Sequence, residues 1–208
     1  MNKSIYALLL FLGFALINSK TISTNDLKEA LSQAEPGDII ELKTGYYTDV
    51  PYTLKSGQAG KPIKIKSARG VDVSFQGKKN TEIFVGNRNE YVILEGPMYL
   101  SDALCGIKIK DSHHINITGL YIFDIQEEGI TISGYNNIIF NNTVASCSLS
   151  NKRYHETNWN GYYPCIASSY NSDYEYSRNT NSRFERNVVE YSYGEGFRIE
   201  RCDVTIAQ

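Results

Sequence analysis

The side chains best placed by type and spacing to do chemistry are Lys108, Arg198, Glu128, Glu195 and His155. Removing a proton beside a carboxylate and expelling an oxygen takes three groups. A base takes the proton, a cation neutralises the carboxylate, and a donor protonates the departing oxygen. Lys108 and Arg198 fall in one outward row with Thr131 and Ala167, and Lys110, Ser133, Ser169 and Glu200 fall in the next. Strands stack about 4.8 Å apart, which sets Lys108 and Arg198 about 14 Å apart. That is too far for one catalytic pair but suits a groove for an anionic chain; a solvated surface uses the same residues for solubility. Glu128 and Glu195 each stand two residues before an inward position, in Glu127-Glu128-Gly129 and Gly194-Glu195-Gly196. With Asp102 and Asp124 they offer oxygens to Ca²⁺ or an acid/base pair, and acids before glycine also build turns. His113 and His114 precede a strand and read as turn residues. The three histidines lack metal-ligand spacing, so no metal site is assigned.

The elements that position these groups follow from a repeat. Val71, Leu94, Ile117 and Ile139 recur at steps of 23, 23 and 22 residues, and Phe84, Ile107 and Ile130 each follow a member of that series by 13. Phe184 and Phe197 repeat the offset of 13. So long a period means stacked supersecondary units. The segments are short and alternate apolar with polar, as in Tyr91-Val92-Ile93-Leu94 and Gly129-Ile130-Thr131-Ile132, with Gly, Asn, Asp and Ser between them. No helix fits between consecutive strands, so the expectation is an all-β protein, a parallel β-helix of five to six coils. Asn142 and Asn187 match in register and predict an internal asparagine stack that binds turn backbone.

One coil is interrupted. Ile166 follows Ile139 by 27 residues, which places an insertion at about 148–163, and a second falls at about 171–181. The first carries Arg153, Tyr154, His155, Trp159 and Tyr162, and long loops on rigid repeats often carry function. Aromatic faces stack on sugar rings while their polar edges hydrogen-bond, so Arg153, Tyr154, Trp159 and Tyr162, with Lys108 and Arg198, form the candidate binding set. Cys147 and Cys165 flank this insertion and are the plausible disulfide. Cys105 and Cys202 lie about three coils apart, beyond the ~7 Å Cα limit for a bridge.

The ends add context. Lys3, the apolar run Ile5 to Ile17 and Asn18-Ser19 read as a secretory signal peptide over 1–19, leaving a single β-helix domain over 20–208 and no membrane span after cleavage. The net charge of −2 argues against nucleic acid as a partner. Residues 24–34 predict one amphipathic helix, capped by Thr24 or Asn25 and stopped at Pro36-Gly37, which covers the open end of the first coil. Val204-Thr205-Ile206 still reads as strand with no cap after it, so a longer protein is expected.

Ala34-Glu35-Pro36-Gly37-Asp38-Ile39-Ile40-Glu41-Leu42, Gly45-Tyr46-Tyr47, Gly60-Lys61-Pro62-Ile63-Lys64-Ile65 and Gly70-Val71-Asp72-Val73 resemble the opening of secreted right-handed β-helix polysaccharide lyases. The likeness is to the chondroitinase B and alginate lyase family within the pectate-lyase-like superfamily, over about residues 24–202. It implies a secreted protein whose partner is an acidic, uronate-containing polysaccharide cut by β-elimination. The family's catalytic Lys and Arg, and the Asn and Glu that hold Ca²⁺ in many members, have no matching motif here. A non-catalytic carbohydrate-binding protein and a polygalacturonase-like hydrolase are the alternatives, and the oligomeric state is not legible.

Overall fold

The computed structural model describes residues 19–23, 25–151, 163–168, 179–199 and 202–207, with backbone alone for 179–180 and 202–207. All strand pairings between coils are parallel, and three stacks of strands form the walls of a prism. The first sheet aligns Ile40, Ile65, Leu94, Ile117, Ile139 and Phe184. The second aligns Tyr47, Phe75, Leu100, Ile122, Val144 and Val189. The third aligns Tyr52, Phe84, Ile107, Ile130, Ile166 and Phe197. Each sheet therefore aligns six inward positions among the described residues, against the five to six coils expected. Nearly all of these side chains are buried and merge into one core along the axis. In the early coils the core is aromatic: the Phe75 ring lies 4.9 Å from that of Tyr47 and 4.8 Å from that of Phe84.

One member of the expected series is wrong. The partner of Leu94 is Ile65, so that step is 29 residues, and Val71 lies in the connection before the strand Val73–Gln76. The connection between Ser67 and Val73 is longer than in later coils. The apolar Val71-Asp72-Val73 segment mimicked the period, but register is set by the hydrogen-bond ladder rather than by spacing. The second outward row also fails at Ser133. A register shift between Ile132 and Gly134 takes it out of the ladder and buries it, and its Oγ accepts the Asp111 N–H at 2.8 Å. Gly134 makes the shift possible: its φ is 124°, and a Cβ there would stand 1.8 Å from the Ser112 carbonyl oxygen. Ser169 and Glu200 lie outside the described residues.

Corners are turned by single residues in left-handed conformation. After the second sheet these are Asp102, Asp124, Ser146 and Tyr191, with φ of 54°, 56°, 48° and 53°. Short polar side chains tolerate this region best. His114 does the same before the first sheet at 55°, which agrees with its reading as a turn residue. Inside, Asn142 donates through Nδ2 to the Ile117 carbonyl at 3.0 Å and to Asn187 Oδ1 at 3.0 Å, while its own Oδ1 accepts the Leu120 N–H at 3.0 Å. The asparagine stack thus satisfies turn backbone that water cannot reach. The helix spans Leu27–Ser32, shorter than the predicted 24–34, and its N-cap is Asp26 rather than Thr24 or Asn25. Leu27, Ala30 and Leu31 pack down on the first coil.

Candidate functional site

Each strand of the third sheet is entered through a turn, and the residue two before the inward position stacks from coil to coil: Glu82, Cys105, Glu128 and, farther up, Glu195. Backbone bonds hold the turns together. Ile83 N–H donates to the Cys105 carbonyl at 3.0 Å, and Gly106 N–H to that of Glu128 at 3.2 Å. Coils approach closely here. A Cβ on Gly129 would meet Val144 Cγ1 at 2.4 Å and the Cys165 carbonyl at 3.0 Å, so only glycine fits between Glu128 and Ile130.

This stacking concentrates charge. Lys108 Nζ lies 3.4 Å from Glu82 Oε1. The buried Cys105 thiol donates to Glu128 Oε2 at 3.3 Å and approaches Glu127 Oε2 at 3.7 Å. The Tyr163 side chain hydrogen-bonds the Glu127 carboxyl. Burial pushes the Cys105 thiol far up, helped by the neighbouring carboxylates, so it stays protonated. Burial also raises Glu127, and the Glu128 carboxylate beside it adds to the rise, against Lys108 and the Tyr163 and Cys105 hydrogen bonds. Glu127 therefore keeps its proton to a higher pH than an ordinary glutamate. For Lys108, burial works to lower the pKa, but the negative groups around it, Cys105 were it ionised, Glu82 and Glu128, reverse the balance and raise it. Lys108 is a held cation, suited to binding a carboxylate rather than to taking a proton.

The predicted residues divide. The row Lys108, Thr131, Ala167 and Arg198 is in register on the third sheet, but Thr131 and Ala167 are buried, so the row is not an open solvated stripe. Lys108 and Glu128 come together. Arg198 and Glu195 share a later coil, with Arg198 Nε 3.7 Å from Glu195 Oε2. Glu195 stands two coil steps from Glu128, about 10 Å at the usual strand spacing, so those two acids form no pair. Asp102 and Asp124 are corner residues outside the cluster. Arg153, Tyr154, His155, Trp159 and Tyr162 lie outside the described residues. The stems of their insertion do meet this rim, since Ser148 Oγ and Asn151 Nδ2 both donate to the Tyr163 carbonyl. Cys147 and Cys165 are joined there, with Cα atoms 5.5 Å apart. Sequence reasoning missed Glu82, Cys105, Glu127 and Tyr163. The available signal was the shared offset of two residues before Phe84, Ile107 and Ile130.

Among the described residues the group that could hold a metal is Cys105, Glu127 and Glu128, whose ligand atoms lie within 4.8 Å of one another. It does not suit Ca²⁺, which takes six to eight oxygens. One of the three donors is a buried thiol, the pKa of Glu127 is raised by burial, and the Lys108 ammonium stands alongside.

The three-walled stack of parallel coils and its charged rim define a right-handed parallel β-helix of the kind found in polysaccharide lyases. A profile of the chondroitinase B family matches residues 21–162, and the chain belongs to that polysaccharide lyase family. No curated protein matches it. Among solved structures it is similar to an alginate lyase from Paenibacillus sp. str. FPU-7, with 21% identity over 91% of this chain and 74% of that one and a TM-score of 0.66. It also resembles a rhamnogalacturonan lyase, with 17% identity over 85% of this chain and 49% of that one and a TM-score of 0.65. A third likeness is to a mannuronic acid specific family 6 lyase from human gut microbiota, at 17% identity over 91% and 53% and a TM-score of 0.51. The chain spans about half the length of the last two. These likenesses establish the fold. No described helix is long and apolar enough to cross a membrane.

Proposed function

We propose that the protein is a secreted lyase that cleaves a uronate-containing polysaccharide by β-elimination at the rim of the third sheet. The observation that carries this reading is the half-buried Lys108 cation held among Glu82, Glu127 and Glu128, with the pKa of Glu127 raised by burial and by the Glu128 carboxylate beside it. Lys108 neutralises the uronate carboxylate, which acidifies the adjacent ring C–H. Glu128 takes that proton. The electron pair forms the ring double bond as the C–O bond to the leaving sugar breaks, and Glu127 protonates the departing oxygen. The family membership supports the reaction class. The aromatic insertion anchored at Tyr163 supports a sugar partner, with Trp159 and Tyr162 stacking and Arg153 and Arg198 adding positive charge.

The close approach of the Glu127 and Glu128 carboxyls favours a second reading, glycoside hydrolysis by a carboxyl pair. Incubation with pectate, alginate and chondroitin separates the two. Elimination yields an unsaturated uronate with ultraviolet absorbance, whereas hydrolysis yields new reducing ends without it. Binding with neither product would replace both readings with a non-catalytic carbohydrate-binding role.

A further inference from the structure

The row that carries Lys108 does not end there. Lys108 pairs with Val85, and Val85 with Thr53 on the first complete coil. Thr53 lines a cavity of about 470 Å³ between that coil and the helix. Leu31 and Leu54 back the cavity but are buried, so its reachable apolar surface is the exposed Pro51 ring with the stems of the exposed Lys28 and Lys55. Lys55 Nζ donates to the Ser32 carbonyl at 2.7 Å, which uses one of its three protons. Lys28 Nζ lies 3.0 Å from the exposed carboxylate of Asp49. An exposed apolar ring beside two ammonium groups matches a sugar that carries a carboxylate: the sugar's C–H face meets Pro51 and the lysine stems, and the anion meets the lysine ammonium groups.

We infer that this cavity is a distal subsite for one uronate of the same polysaccharide, so that a bound chain runs along the coil axis from the helix cap past Lys108. The inference rests on the proposed lyase reading for the direction of the chain. Thr53 and Lys108 are two coil steps apart, about 10 Å, which is roughly two sugar units. Oligosaccharides too short to bridge that gap gain nothing from the cavity.

The test compares wild type with the double variant Lys28→Ala/Lys55→Ala on size-graded oligomers of galacturonate, alginate and chondroitin. Both lysines are exposed, so the fold is retained. Lys55→Gln, which keeps a donor for the Ser32 carbonyl, serves as the second variant. For chains of five or more units KM is expected to rise roughly three- to tenfold with kcat little changed, because two exposed ion contacts are lost. For dimers and trimers the variant should match wild type. An equal loss on short and long chains, or no loss on long ones, overturns the subsite. In either case Lys108→Ala still reports on the reaction itself. If wild type neither cleaves nor binds any of the three polymers, the lyase reading falls and the subsite with it.

Discussion

On the outer face of the first sheet, Glu41, Lys66 and Glu95 follow one another from coil to coil. Lys66 Nζ lies 2.8 Å from Glu41 Oε2, and Lys64 Nζ 3.0 Å from Glu95 Oε2. Opposite charges alternate, and each lysine meets an acid on a neighbouring coil. At the rim of the third sheet the same residue types are crowded: three glutamates and a thiol surround one lysine, and two of the glutamates are adjacent in sequence. Alternation spreads charge and lowers energy. Crowding in a half-buried turn raises the pKa of Glu127 and of Cys105 by desolvation and like charge. The difference teaches that on a repeat scaffold it is not the presence of charge on a strand that marks a site. The mark is a place where the repeat forces like charges together out of water, which needs compensation elsewhere and suits function.

The contrast can be broken most sharply at the two lysines. Lys108→Ala is expected to lower kcat/KM on a polyuronate by about 10²–10³-fold, the scale of one lost electrostatic contact to developing charge. Lys66→Ala should leave it within twofold. Equal effects in steady-state kinetics would erase the distinction between the sheets.

A second comparison lies within the third sheet itself. Gly129 and Gly196 each stand one residue before the inward position, but a Cβ at Gly196 meets nothing nearer than 3.7 Å, against 2.4 Å at Gly129. Gly129→Ala should cost about 1–3 kcal/mol by overpacking, and Gly196→Ala well under 1 kcal/mol, as read by chemical denaturation. Similar values at both would mean that the rim is not close-packed around Glu128.

The pH dependence gives a smaller and more specific signal. Because the folded pKa of Glu127 is raised, the folded state binds its proton more tightly than the unfolded chain does. Its favourable contribution is fully present below the ordinary glutamate value and is lost as pH rises through the folded value. Glu127→Gln should flatten stability against pH in that window, and it should remove the limb of the activity profile that falls as the acid loses its proton. An unchanged profile would assign the proton donor elsewhere. Smallest of all, Lys64→Ala or Glu95→Ala should change stability by only about 0–1 kcal/mol, and less in high salt, as expected for a partly exposed pair. A larger loss would show that the first-sheet ladder is structural rather than solvating.

Much of the architecture was legible in the residues. Spacings of 22 and 23 between Leu94, Ile117 and Ile139, and between Phe84, Ile107 and Ile130, placed two of the three sheets, because every coil must return an apolar side chain to the same axis. The Asn142–Asn187 stack was legible for the same reason. Val71 shows the limit: alternating apolar residues satisfy a period wherever they fall, and only the ladder that pairs Leu94 with Ile65 decides the register. The site was half legible. Lys108 and Glu128 stood out by type and position, but nothing in the spacing marked Glu82 and Glu127 as their partners. The amino-acid sequence by itself determined the repeat, the inward series and the positions of the charges along the chain. Only the tertiary structure decided which charges meet. Stacking turns 22 or 23 residues apart within hydrogen-bonding distance, and burying them, is what raises the pKa of a glutamate above that of a solvated carboxylate.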